Sequence, residues 1–272
     1  MTLVSTEWLN NNLNNVKILD ASWHLTDKRN ASNEYKKEHI ENAIFFDLEK
    51  NSNQQIDLPH NHFLPNKREW EYALSKMGIS NNDKIIIYDN SDLISSCRCW
   101  FQFLYFGHSK NLVFILNGGF KKWMLENRKV TDKIPKTGSS KYFAKENKDM
   151  IKIKSQIDEN IEKKDFKIMD ARNKDRFYGK APEPRPNVRS GAIEGSICMP
   201  FTECVDPRDN TFLNKKILEK KFNSAGIVNN NVVFTCGSSV TASVLGVAYC
   251  LINNKYMPTI YIGSWSEYGK NR

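Results

Sequence analysis

Six cysteines could supply a reactive thiol: Cys97, Cys99, Cys198, Cys204, Cys236 and Cys250. Cys236 is set apart by its surroundings. It ends the apolar run Val232-Val233-Phe234-Thr235 and is followed by Gly237-Ser238-Ser239-Val240-Thr241 and then a helical pattern. Residues this small let the chain curl, so that backbone N–H groups turn towards one point. The helix starting near Thr241 adds the partial positive charge of its N-terminus. Such a nest stabilises a thiolate, the nucleophilic form of cysteine, and would equally hold a persulfide anion. The competing reading is a buried structural cysteine beside an ordinary turn. The other five cysteines read as small core hydrophobes, Cys97 and Cys99 within an apparent helix. No C-x-x-C pair occurs, which argues against zinc ribbons and thioredoxin-type dithiols.

The elements that position this loop are written twice. Ile18-Leu19-Asp20-Ala21-Ser22 returns as Ile168-Met169-Asp170-Ala171-Arg172, and Lys84-Ile85-Ile86-Ile87-Tyr88-Asp89 as Asn231-Val232-Val233-Phe234-Thr235-Cys236. His39-Ile40-Glu41-Asn42-Ala43 returns at 192–196, and Ile115-Leu116-Asn117-Gly118-Gly119-Phe120 as Ile260-Tyr261-Ile262-Gly263-Ser264-Trp265. The order is kept and the offset stays near 150 residues, so two copies of one domain explain it; a solenoid needs a shorter period and more copies. The continuous apolar runs at 85–88 and 232–235 predict strands covered on both faces, hence a parallel sheet. Residues 100–106 and 242–252 read as helices after those strands. Residues 67–77 and 214–225 are amphipathic and end at Gly78 and Gly226. The expected fold class is α/β: two tandem domains, each a mainly parallel sheet with helices on both faces. The domains are expected at 1–135 and 150–272, with a polar linker at 136–149. In open sheets of this kind ligands sit beyond the carboxyl ends of the strands. There the first copy places Asp89 and the second Cys236.

With 40% hydrophobic and 11% aromatic residues in 272, the chain can bury a core, and general disorder is excluded. The formal charge is +9, but the lysines are scattered among asparagines with no block of five like charges, so no nucleic-acid partner is expected. No apolar run approaches the ~18 residues of a membrane span. The N-terminus lacks the basic flank and apolar stretch of a secretory signal. Reduced thiols in the cytoplasm are the expectation. The last motif stands close to residue 272, so no further C-terminal module is expected.

The chain resembles the tandem rhodanese-like sulfurtransferases, and within them the branch that uses mercaptopyruvate. The resemblance covers nearly its whole length. It rests on Ile44-Phe45-Phe46-Asp47, His62-Phe63-Leu64-Pro65, Ala181-Pro182-Glu183-Pro184-Arg185, Arg189-Ser190-Gly191 and Gly263-Ser264-Trp265-Ser266-Glu267, and above all on the loop from Cys236 to Thr241. The family writes that loop Cys-Gly-(Ser/Thr)-Gly-Val-Thr. Thiosulfate-preferring members typically have two basic residues after the cysteine, where this chain has Gly237 and Ser238. The chain departs from the family in having Ser239 for the usual glycine. If that position requires positive φ, serine is strained there by roughly 1 kcal/mol.

The resemblance implies that Cys236 carries sulfur as a persulfide, and that Arg176 and Arg185 bind an anionic sulfur donor. Gly237, Ser239, Val240 and Thr241 would complete the substrate loop, while Arg172 and Arg189 read as structural. It further implies a proton relay of Ser238 with His62 and an acid near Glu49, the last two from the first domain; His60 is a neighbour that could be mistaken for His62. The acceptor would be a thiol, such as thioredoxin or a small dithiol, or cyanide. No metal, organic cofactor or membrane enters this chemistry. Asp89 cannot carry sulfane sulfur, so the first copy would be silent. The alternatives are a thiosulfate sulfurtransferase and a non-catalytic sulfur-relay module. A phosphatase of the same fold needs C-x5-R, and the sixth residue after Cys236 is Ala242.

Overall fold

The computed structural model describes residues 2–26, 28–56, 62–227 and 231–270. In chain order the first copy forms β1 (Leu3–Val4), α1 (Thr6–Asn10), β2 (Lys17–Asp20), α2 (Ala31–Lys37), β3 (His39–Ile40), β4 (Ala43–Phe45), α3 (Lys67–Lys76), β5 (Ile85–Tyr88), α4 (Ser96–Tyr105), β6 (Val113–Leu116), α5 (Gly119–Leu125) and β7 (Val130–Thr131). The second forms β8 (Ile151–Lys152), α6 (Lys154–Lys163), β9 (Lys167–Asp170), α7 (Lys174–Phe177), β10 (Ile197–Cys198), α8 (Lys215–Ser224), β11 (Val232–Thr235), α9 (Val240–Ile252), β12 (Ile260–Tyr261) and α10 (Ser264–Tyr268).

Each copy builds a parallel five-stranded sheet, ordered β1-β6-β5-β2-β4 in the first and β8-β12-β11-β9-β10 in the second. The strand order is the same in both, with β5 and β11 in the middle. Every residue of these two strands is buried, as expected of runs that have no polar face. The register aligns Asp20 with Tyr88 and Asp170 with Thr235, so both central strands end beside an aspartate. Helix α3 starts at a capping box, Asn66 with Glu69, and α8 at Asn214, whose side chain accepts from Ile217 N–H. Gly78 and Gly226, both at positive φ, follow these two helices. Helix α4 begins four residues before the expected 100. Its first turn, Ser96-Cys97-Arg98-Cys99, holds the two cysteines that the sequence places in an apparent helix; both are fully buried, and Arg98 lies over the Phe101 ring.

By their contacts the described residues fall into two compact units. The first holds Met1–Asn53, Leu64–Asn147 and Pro207–Thr211; the second holds Gln54–Phe63, Lys148–Asp206 and Phe212–Arg272. Two differences from the expected boundaries have physical causes. Residues 136–147 carry no helix or strand but are laid along the first unit by hydrogen bonds from Ser140 N–H to Ser75 O, Ala144 N–H to the Glu71 carboxylate and Asn147 N–H to Tyr105 O. Residues 54–56 and 62–63 fall in the second unit, so His62 is supplied by sequence from the first copy but belongs structurally to the second.

Candidate active site

Strand β11 delivers Cys236 to the end of the second unit's sheet, where the side chain is 2% exposed. The next three residues turn the chain into α9. Ser239, the residue before the helix, adopts φ 63° and ψ 4°, so the left-handed conformation is kept although the residue is serine. Its hydroxyl donates to Ser238 O at 2.7 Å, and Ser243 Oγ donates back to Ser239 O at 2.9 Å. No side chain caps α9. The N–H groups of Cys236 and Ser239 are both accepted by Ser264 Oγ, whereas those of Gly237, Ser238, Val240 and Thr241 have no acceptor among the described residues. Two amides of the loop are therefore taken up by Ser264.

Arg185 lies flat against this loop. A Cβ placed on Gly237 would come within 2.6 Å of its Nη1 and 3.1 Å of its Cζ, so only glycine leaves room for the guanidinium. Nη2 of Arg185 donates to Ser238 Oγ at 2.9 Å, and Nη1 to Glu183 Oε1 at 3.0 Å. Burial lowers the Arg185 pKa, opposed by Glu183 and by the charge of Cys236. His62, also buried, places Nδ1 3.1 Å from Ser238 Oγ. Ser238 Oγ accepts from Arg185 and meets the His62 ring on its other side. Cys236, Ser238, His62 and Arg185 are thus brought together within one unit.

Arg176, on α7, is positioned by Asn173, whose side chain accepts from Arg176 N–H at 2.9 Å. Its Nε and Nη2 are taken up by Glu183, with contacts of 2.8 to 3.3 Å. Glu183 is the residue that sequence reasoning missed. Its side chain is 1% exposed and faces three arginines, with Arg172 Nη1 at 3.7 Å as the third. The signal was a lone carboxylate between prolines in an arginine-rich stretch. Arg172 itself forks onto Asp170 and, like Arg189, lies 4.6 Å over the Trp265 ring, which fits the structural role expected of both. Glu49 lies in the first unit, exposed, accepting from Trp23 Nε1 at 2.8 Å. His60 lies outside the described residues.

The other thiols are held as packing groups. Burial raises Cys198 to about 11, Cys204 to about 12 and Cys99 well above its usual value. In the first unit Asp89 stands where β11 places Cys236. Ser91 N–H and Ser96 N–H donate to its carboxylate at 3.0 and 3.2 Å. It opens on a pocket of about 480 Å³ lined also by Asn90, Ser91 and Lys121.

Known proteins resemble this chain over nearly its whole length. The rhodanese-like domain family matches twice, over residues 5–126 and 154–271. Thiosulfate/3-mercaptopyruvate sulfurtransferase 1, mitochondrial, of Arabidopsis thaliana is 35% identical over 98% of this chain and 75% of its own length. The 3-mercaptopyruvate sulfurtransferase of Mus musculus is 34% identical over 98% and 91%. Among solved structures, SseA from Escherichia coli, described with the rhodanese fold and mechanism of 3-mercaptopyruvate sulfotransferases, superposes with a TM-score of 0.86. It is 27% identical over 97% of this chain and 99% of its own.

Proposed function

The chain belongs to the rhodanese-like family, and from that premise we propose that it is a sulfurtransferase moving sulfur from 3-mercaptopyruvate, through a persulfide on Cys236, to a thiol acceptor. The observation that carries this reading is the buried thiol at the head of α9 with Arg185, Ser238 and His62 bonded in series beside it. The Cys236 thiolate attacks the donor sulfur and forms an S–S bond. The carbon–sulfur bond breaks, its electron pair stays on carbon as the pyruvate enolate, and a proton returns to that carbon. Arg185 and Arg176 stabilise the carboxylate and the developing enolate, both restrained by Glu183. The hydroxyl of Ser238, bonded to His62, is the proton donor nearest to hand. The N–H groups of Gly237, Ser238, Val240 and Thr241 hold the persulfide. A thiolate acceptor, from thioredoxin or a small dithiol, then takes the outer sulfur and regenerates Cys236.

Incubation with mercaptopyruvate is expected to add about 32 Da, one sulfur, to Cys236. Cys236→Ser is expected to abolish pyruvate release; a variant that still turned over at the wild-type rate would remove the proposal. Glu49 is kept as the acid of the relay, with Glu49→Gln as its test. A loss matching that of His62→Asn supports it, and full activity removes it. Thiosulfate as donor is the second reading, because the Arabidopsis relative is named for both donors. The close seat of Arg185 on Gly237 leaves no room for a basic side chain there and favours mercaptopyruvate. The ratio of kcat/KM for the two donors decides between them. Among the described residues no helix is long and apolar enough to cross a membrane. None of the six cysteines is in a disulfide, which fits a reducing cytoplasm, and cell fractionation checks that placement.

A further inference from the structure

The segment Gly263-Ser264-Trp265-Ser266-Glu267 takes no part in the chemistry above, yet it brackets the thiol. Ser264 Oγ accepts from Cys236 N–H at 3.4 Å and from Ser239 N–H at 3.1 Å, and donates to Tyr261 O at 3.0 Å. Trp265 N–H and Ser266 N–H reach Cys236 O and Gly237 O, each at 2.9 Å. Ser264 is fully buried and holds φ 51°, a left-handed conformation that strains any residue with a side chain. The first unit supplies an internal comparison. There Phe120 N–H donates to Asp89 O at 3.0 Å, as Trp265 N–H does to Cys236 O, which makes Gly119, at φ 54°, the counterpart of Ser264. The copy that carries a carboxylate uses glycine at this strained position. The copy that carries the thiol uses a serine and buries its hydroxyl in the thiol loop.

We propose that Ser264 is a positioning residue for the persulfide-bearing loop: its hydroxyl fixes the amides of Cys236 and Ser239 and so leaves those of Gly237, Ser238, Val240 and Thr241 to receive the sulfur anion. A hydroxyl suits the place because one oxygen accepts both N–H groups while its proton goes to a carbonyl. Glycine would relieve the backbone strain but leave two buried donors without an acceptor. This role deepens the sulfurtransferase reading and rests on it.

The test compares the full chain with Ser264→Gly, whose backbone fits the observed φ, and with Ser264→Ala, which keeps the strained backbone and removes only the hydroxyl. Cys236 is alkylated across a pH series and followed by peptide mass spectrometry, alongside pyruvate release and melting temperature. Both variants strand the two donors and are expected to melt below wild type, glycine less so because it relieves the strain. In both, the alkylation profile is displaced to higher pH, kcat falls about tenfold and donor KM stays within about twofold. A wild-type profile and kcat in either variant would overturn the role, as would a kcat defect that grows in step with the fall in melting temperature from glycine to alanine. Alkylation needs no turnover. A shifted profile in a protein whose wild type releases no pyruvate would therefore reject the sulfurtransferase reading while leaving the loop's dependence on Ser264 intact.

Discussion

At Ser239 a single side chain carries a cost that its family usually avoids. The sequence flags the position because the family's glycine is replaced, and the structure keeps φ at 63° rather than reshaping the loop. Ser239→Gly is expected to stabilise the protein by roughly 0.5–1 kcal/mol, read as a rise in denaturation midpoint, since glycine occupies this region without strain. At Arg185 the expectation is the opposite. Arg185→Lys retains the charge but loses the flat fork that reaches Glu183 and Ser238 together, and kcat/KM is expected to fall by roughly 10–100-fold. Glu183→Gln tests the restraint itself. With one acceptor lost among three guanidinium groups, donor KM is expected to rise several-fold while Cys236 still takes up sulfur.

At the scale of elements, the turn between β11 and α9 works because Gly237 has no Cβ. Gly237→Ala pushes a methyl group to within 2.6 Å of the Arg185 guanidinium, so the arginine must leave its seat. Activity is expected to fall with little change in melting temperature, since the loop's other bonds, to the residues after β12, survive. How much of this was legible in the sequence follows from range. Strands β5 and β11 were readable to the residue, because four consecutive apolar residues carry their own signal. The two-residue strands β1, β8 and β12 were not, because their partners in the ladder are far along the chain and only the sheet defines them. Cys236 was legible from its neighbours. Ser264 was not, since it meets that thiol loop from 28 residues away, and Glu183 acquires its meaning only when three arginines from separate turns close on it.

Across the whole molecule, the two sheets share a plan but differ in how they hold charge. In the second, Asp170 is forked by Arg172; in the first, Asp20 and Asp89 are buried without an arginine, and burial raises both to about 6 from a reference of 3.8. The folded first unit therefore binds protons more tightly than the unfolded chain. Its stability from these groups is fully present below pH ~4, declines as pH rises to ~6 and is flat above, an effect on the order of 2–3 kcal/mol for each acid. Hydrogen exchange of the β2 and β5 amides is expected to slow between pH 7 and pH 5, after correction for intrinsic rates, and Asp89→Asn is expected to flatten that dependence.

Residues 54–56 and 62–63 fall in the second unit and residues 207–211 in the first, so each unit takes in a stretch encoded in the other half. Cutting the peptide between Asn147 and Lys148 would leave the sulfur-bearing fragment without its imidazole. Neither piece expressed alone is expected to release pyruvate. Mixing them should restore turnover as a bimolecular, dilution-sensitive process.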